Sequence, residues 1–267
     1  MTNLTMERNF LYNIAGNEDR LQRLQDMASS GKVFQRPQDD PVGVERSVGL
    51  RNHLSKNRLY LRNLDRAKAW MDYTEQALSE ISAVISRAQE IGLFGANGTT
   101  PVDARNAIAC EVHQLWEEVG TVANRTVEGR LIVTGTMPTW RISPGLDITS
   151  DDLTTMLNDV RIYLADLETG LRNPAAANPV TALQNLSLTA DVVLAQRATN
   201  GARVNRVETL ETKMTALDIE FQRQLSNVED VDITQVIVRL RGAEAAYQAA
   251  LGAGARLIQP SLLDYLK

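Results

Sequence analysis

The sequence predicts a mainly α-helical protein: long antiparallel helical rods, packed as a coiled-coil-like bundle, with a small β-hairpin region. Three observations carry this. Apolar residues recur at steps of three and four along most of the 267 residues. Aromatic residues are scarce, at 5%, whereas the apolar content is carried mainly by Leu, Val, Ile and Ala, as in long helices. No proline falls between positions 42 and 91, so a helix of ~50 residues, about 75 Å at ~1.5 Å per residue, is permitted there.

The first helix is set by Phe10, Ile14, Leu21 and Leu24, an apolar stripe that ends at Gly31. Arg36-Pro-Gln-Asp-Asp-Pro41 forbids its continuation, since each proline confines its neighbour to extended geometry. Asp39 and Asp40 are suited to cap the second helix, and Pro41 is tolerated in a first turn. Arg36, Pro37, Asp39, Asp40 and Pro41 are therefore the predicted hinge. The second helix carries Leu50, Leu54, Leu61, Leu64 and Met71, then Leu78, Ile81, Ile85 and Ala88, and stops at the glycine-rich loop from Gly92 to Pro101. A third helix spans about 102–126. Between 127 and 149, the β-branched run Arg130-Leu-Ile-Val-Thr134 and the turn residues after it predict a short hairpin or two small strands.

Helical spacing returns with Leu153, Leu157, Val160, Leu164 and Leu167, and residues 172–179 form a connector. The next long helix has Val207, Leu210, Met214, Leu217 and Phe221 at steps of 3, 4, 3 and 4, a heptad seam that calls for a partner helix. After a break at Glu229-Asp-Val-Asp232, Ile233, Ile237, Leu240, Tyr247, Leu251 and Ile258 mark a last helix. The ending Pro260-Ser-Leu-Leu-Asp-Tyr-Leu266 departs from it. The two rods, similar in length, are expected to pair antiparallel and bring both terminal helices to one end. The expected domains are 1–35 with 233–267 (terminal helices), 36–135 with 180–232 (rods), and a short middle segment, 136–179.

Composition excludes several functions. With 33 acidic and 28 basic residues the net charge is −5, which argues against nucleic-acid binding. One cysteine excludes a disulfide framework. No apolar run reaches the ~20 residues that span a bilayer, so membrane anchoring is not expected, and the start lacks a Sec-type signal. Cys110, His113 and Glu117 share a helix face at metal-ligand spacing. Ile108, Val112 and Leu115 flank them, so Cys110 reads as a small packing residue, and no metal or other cofactor is expected. His53 reads as solvated. Serine-nucleophile and phosphate-loop patterns are absent, and the paired acids sit at helix ends or on exposed faces, so no enzyme is expected.

The amphipathic termini stand out instead. Each is a helix of about 25 residues, cut off by a hinge, with little of its own to pack on. Phe10, Ile14, Leu21, Leu24, Ile233, Ile237, Leu240, Tyr247, Leu251 and Ile258 are therefore the expected assembly interface, pairing with each other and with neighbouring subunits.

Ser29-Ser-Gly-Lys-Val-Phe-Gln-Arg-Pro-Gln-Asp-Asp-Pro-Val-Gly43 resembles the hinge after the first helix in the flagellin superfamily. Its Pro37-x-Asp-Asp-Pro41 form is similar to that of the hook–filament junction family, the hook-associated protein 3 family. Thr74-Glu-Gln-Ala-Leu78, Ala96-Asn-Gly-Thr99, Gly129-Arg-Leu-Ile-Val-Thr-Gly135, Leu225-Ser-x-x-Glu-Asp-Val-Asp232 and the Pro260–Leu266 ending match in the same order, so the resemblance covers about 1–135 and 180–267. It implies a flagellin-like fold and a structural role in the bacterial flagellum, as a ring-like layer of copies between the hook-side junction protein (hook-associated protein 1) and flagellin. It also implies export through the flagellar type III apparatus after holding by an export chaperone. The alternatives are flagellin itself, a filament subunit, and a cytosolic coiled-coil scaffold.

Overall fold

The computed structural model describes residues 3–258. The Pro260–Leu266 segment and the side chain of Ile258 lie outside the described residues. The elements run α1 (Asn3–Ser30), α2 (Pro41–Gly95), α3 (Val102–Ala123), β1 (Thr126–Val127), β2 (Arg130–Leu131), β3 (Thr139–Ser143), β4 (Leu146–Thr149), α4 (Thr154–Arg172), α5 (Pro179–Glu229) and α6 (Ile233–Ile258). The chain forms two compact units, one of residues 1–56 and 218–267, the other of residues 57–217.

In the 57–217 unit, α2, α3, α4 and α5 share one core. Leu78, Ile81 and Ile85 of α2 meet Val112 and Val119 of α3, Leu157 and Leu164 of α4, and Leu186 and Val193 of α5. Heptad spacing on α2 places these residues on one face, and the other helices close around it. The middle segment thus supplies α4 to the main core. α2 runs past the expected stop at Gly92 and ends at Gly95, and Gly92 is a point of close helix approach. A Cβ there would meet Leu183 of α5 at 2.7 Å and Leu167 of α4 at 3.0 Å. α3 ends sooner than expected, with Asn124 donating its side-chain amide to the Gly120 carbonyl at 2.9 Å.

The region between α3 and α4 holds two antiparallel hairpins. β1 pairs with β2 across Glu128 and Gly129, both at positive φ (52° and 76°), the backbone a two-residue hairpin turn requires. Only Arg130 and Leu131 of the expected strand enter a ladder; Ile132 and Val133 are fully buried in the helical core instead. β3 pairs with β4 around Pro144-Gly145. This second hairpin lays Ile142 and Ile148 over Leu64, Met71 and Val207, and Trp140 lies 6.1 Å from Trp70. It therefore covers part of the α2/α5 seam.

The two long helices are antiparallel in this unit. Asn57 donates to the Met214 carbonyl at 2.8 Å, and Asn200 donates to the Met71 carbonyl at 2.9 Å. Ion pairs of Lys68 with Glu208 (3.0 Å) and Arg197 with Glu75 (2.7 Å) keep the same register at the seam's edges.

The other unit contains α1, the start of α2, the end of α5 and α6. α1 and α6 pack antiparallel: the Phe10 ring covers Gly254, and Gly31 lies near Ile233. A Cβ at Gly254 would collide with that ring. Gly31 has φ +68°, the left-handed conformation that ends α1.

Candidate functional site: the hinge clasp and the paired terminal helices

The breaks that end α1 and begin α6 meet. Val33 donates its backbone N–H to the Glu229 carbonyl at 2.7 Å, and Val231 donates to the Gly31 carbonyl at 3.0 Å. Between these bonds Lys32 faces Asp230 as an isolated antiparallel bridge. Side chains close the arrangement. Arg51 of α2 grips the Glu229 carboxylate with two parallel bonds, Nε to Oε1 at 2.8 Å and Nη2 to Oε2 at 2.7 Å. Lys32 reaches Glu229 at 3.0 Å and Asp230 at 2.7 Å. Glu229 is 3% exposed, so its charge needs both cations.

The electrostatics match the geometry. Arg51, acting against burial and seconded by Lys32, holds the Glu229 carboxyl below the usual carboxylate range. Lys32, then Ser226, lowers that of Asp230. Asp230 and Glu229 in turn raise Lys32 above the ordinary lysine range.

The predicted hinge residues sit beside this clasp. Asp39 accepts from the Arg36 N–H at 3.0 Å while its own N–H donates to the Arg36 carbonyl at 3.0 Å, closing a turn around exposed Pro37. Asp40 accepts from Gly43 N–H at 2.9 Å and caps α2, with Pro41 as its first residue. A Cβ at Gly43 would meet the Phe34 ring at 2.8 Å, so a glycine lets the loop fold back there. Asp232 caps α6 by accepting from Thr234 at 2.9 Å and Gln235 at 3.2 Å.

Of the predicted interface residues, Leu24 is buried, and Phe10, Ile14, Leu21, Leu240 and Tyr247 are half-buried. Ile233, Ile237 and Leu251 are exposed, at 43%, 41% and 44%. Leu11, Tyr12 and Val238 add further uncovered apolar surface on the same two helices.

Residues 1–136 match the family model of the bacterial flagellin N-terminal helical region. The chain belongs to the flagellin family. It is a structural protein of the bacterial flagellum, a family that assembles with other flagellar components. It is 25% identical to the flagellar filament 30.7 kDa core protein of Treponema maltophilum over 83% of each chain. It is also 27% identical to flagellar hook-associated protein 3 of Salmonella typhimurium, over 50% of this chain and 42% of that protein. The same protein of Escherichia coli is 30% identical over 41% and 35%. The match thus spans less than half the length of these hook-associated relatives. In fold it is similar to a putative flagellar hook-associated protein of Vibrio parahaemolyticus (TM-score 0.62, 17% identity, 72% of this chain and 100% of that one). FlgL of Bacillus cereus is similar too (0.60, 17%, 67% and 99%).

The seam of this flagellin-family chain is graded. Val207 is fully buried, Leu210 and Met214 pack half-buried against Leu64 and Met71, and Leu217 is 42% exposed. Phe221 is half-buried and stacks on His53 with centroids 5.4 Å apart, so His53 is a packing partner as well as an exposed residue. Cys110 is exposed, a correction to its reading as a packing residue: its helix position turns outward, where Arg172 approaches at 3.6 Å. His113 lies 3.0 Å from Glu168 and 3.7 Å from Glu117, and joins α3 to α4. Among the described residues no group of ligands is placed to hold a metal. Among them, too, no helix is long and apolar enough to cross a membrane.

Proposed function

We propose that the chain is the hook–filament junction protein: copies of it form a layer that joins the hook-side junction protein to the flagellin filament. The observation that carries this reading is the α1/α6 pair, clasped at its hinge yet exposing Tyr12, Ile237, Val238 and Leu251. Such a surface is covered by neighbouring subunits, with 1–35 and 233–267 acting as the inner assembly domain and the rods packing outside it. Export through the flagellar type III apparatus, with a chaperone holding the chain beforehand, belongs to the same reading. The hinge form Pro37-x-Asp-Asp-Pro41 and the hook-associated relatives support the junction over the filament.

A second reading, a filament subunit, is favoured by the alignment with the Treponema filament protein over most of both chains. Quantitative mass spectrometry of isolated hook–filament structures separates the two. The junction reading expects a minor component, confined to the hook tip when filaments are sheared away. A major component distributed along the filament would replace it with the second reading.

A further inference from the structure

The sequence holds two Asn-Gly pairs, Asn97-Gly98 and Asn200-Gly201, and the fold places them in opposite surroundings. Asn97 and Gly98 are exposed in the loop between α2 and α3. The Asn97 side-chain carbonyl accepts the Thr99 N–H at 3.4 Å, which folds the side chain forward along the chain. Its backbone carbonyl accepts the Thr100 N–H at 3.0 Å, whereas the Gly98 N–H has no acceptor among the described residues. A Cβ at Gly98 would meet nothing within 4 Å, and its φ is not positive, so neither packing nor backbone angle requires a glycine there. Asn200, by contrast, is 7% exposed and lies within α5. Its side-chain amide donates to the Met71 carbonyl at 2.9 Å, and Gly201 follows it inside the helix, where the N–H is held by the carbonyl four residues back.

We infer that Asn97 is a site of spontaneous deamidation, and that the fold protects Asn200 although it has the same neighbour. The reaction needs only water. The Gly98 nitrogen gives up its proton and attacks Cγ of the Asn97 side chain; the N–Cγ bond forms, the Cγ–Nδ2 bond breaks, and the amide nitrogen leaves as ammonia with that proton. Water then opens the cyclic imide. Cleavage at Cγ gives aspartate on an unchanged backbone, and cleavage at the main-chain carbonyl gives isoaspartate, with the chain rerouted through Cβ and Cγ. At Asn97 the nitrogen is unshielded by any side chain of Gly98, its N–H is free, and an exposed loop opens at little cost. At Asn200 the same ring would have to break a helix bond and the Met71 bond and draw a buried side chain out of the seam. The product changes its surroundings. Residues 91–102 and 173–190 carry no Asp, Glu, Lys or Arg. The approaches of Gly92 to Leu183 and of Gly95 to Leu171 bring these stretches to one end of the four-helix core, where Leu93 and Phe94 are 72% and 66% exposed. Conversion therefore places a carboxylate on an uncharged, apolar surface, just past the negative end of the α2 dipole, and does so as the molecule ages.

The test holds the folded full-length chain in warm buffer at mildly alkaline pH, then digests it at acidic pH. Mass spectrometry with electron-transfer fragmentation reads both sites and separates aspartate from isoaspartate. Asn97 should convert at least about tenfold faster than Asn200, with isoaspartate among its products and a rate that rises with pH, since the attacking nitrogen must lose its proton. In urea the two sites should convert at similar rates. Gly98→Ala should slow conversion at Asn97 by about tenfold or more and leave the melting temperature unchanged, because a methyl group crowds the nitrogen while the loop has room for it. Equal conversion of both sites in the folded chain, or a folded Asn97 that stays intact while urea lets it convert, would overturn the inference. So would aspartate at 97 without isoaspartate, a bias against Asn200 that persists in urea, or a Gly98→Ala chain that converts at the native rate.

Discussion

A carboxylate that is 3% exposed is costly to bury unless its charge is met, and at Glu229 it is met by Arg51 and Lys32. Because Glu229 and Asp230 are held below the ordinary carboxylate range, they contribute stability that is present above that range and lost as pH falls through their folded values. Lys32 is raised, so its contribution is present below the ordinary lysine range and lost as pH climbs through its folded value. The clasp should be fully closed around neutral pH. Glu229→Gln should loosen it by about 1–2 kcal/mol, at the lower end for bonds to a charged group because Lys32 and Arg51 can turn to water. The readout is amide exchange at Val33 and Val231, whose N–H groups bridge the two breaks. The variant should exchange faster than the native chain at neutral pH, and the difference should shrink below the ordinary glutamate pKa of about 4.3. Equal exchange at neutral pH would show that the backbone bridge holds without the ions.

Helix by helix, the seam of α5 shows what periodicity reveals and what it omits. Steps of three and four select a face on which Val207 is buried and Leu210, Met214 and Phe221 are half-buried, while Leu217 is exposed. They do not give the depth of burial, which depends on a third layer. Val207 is sealed because the β3–β4 hairpin lies over it, whereas Leu217 belongs to the half-open part of the seam. Leu64→Ala, under the hairpin, should therefore cost about 2–5 kcal/mol. Leu217→Ala should cost within about 0.5 kcal/mol, as at an ordinary surface position. Phe221→Ala should cost about 1–2 kcal/mol, below the 3–5 kcal/mol of a fully buried phenylalanine, since it loses a half-exposed ring stack. Denaturant unfolding of the three variants checks the order, and a Leu217→Ala loss equal to that of Leu64→Ala would show a seam closed along its length. The helices, the break before α2 and the Asp40 cap were legible for a local reason, since capping and proline geometry act within four residues, whereas Asp39 closes a turn with Arg36 instead of capping. The clasp was not legible, because Lys32 and Arg51 lie 197 and 178 positions from Glu229. Asn57 and Asn200 were missed for the same reason, each being a polar residue in an apolar seam whose acceptor is a distant backbone carbonyl.

For the molecule as a whole, burial divides unevenly between the two units. Among the described residues, Leu24, Leu54 and Val236 are the buried apolar side chains of the unit formed by 1–56 and 218–267. Val236 sits on α6 beside the predicted residues Ile233 and Ile237, which are exposed, so the inward face of α6 is rotated from the one the spacing selected. The 57–217 unit has a continuous core over four helices. Local opening is cheapest where buried apolar contacts are few, so amides at Leu21 and Leu240 should exchange well before those at Leu64 and Val207 in the isolated chain. Equal protection would mean that the terminal pair is as stable as the core without a partner. The same imbalance separates folding from assembly. Leu251 is 44% exposed, so Leu251→Glu places a charge where water already reaches and should leave the melting temperature of the 57–217 core unchanged. Under the proposed assembly that position is covered by a neighbouring copy, where an unpaired carboxylate is expensive. Cells carrying Leu251→Glu should make and export the chain, yet lose filaments or shed flagellin into the medium. Normal swimming with intact filaments would remove this face of α6 from the assembly surface, leaving Tyr12 and Leu11 of α1 as the apolar side of the pair to test next.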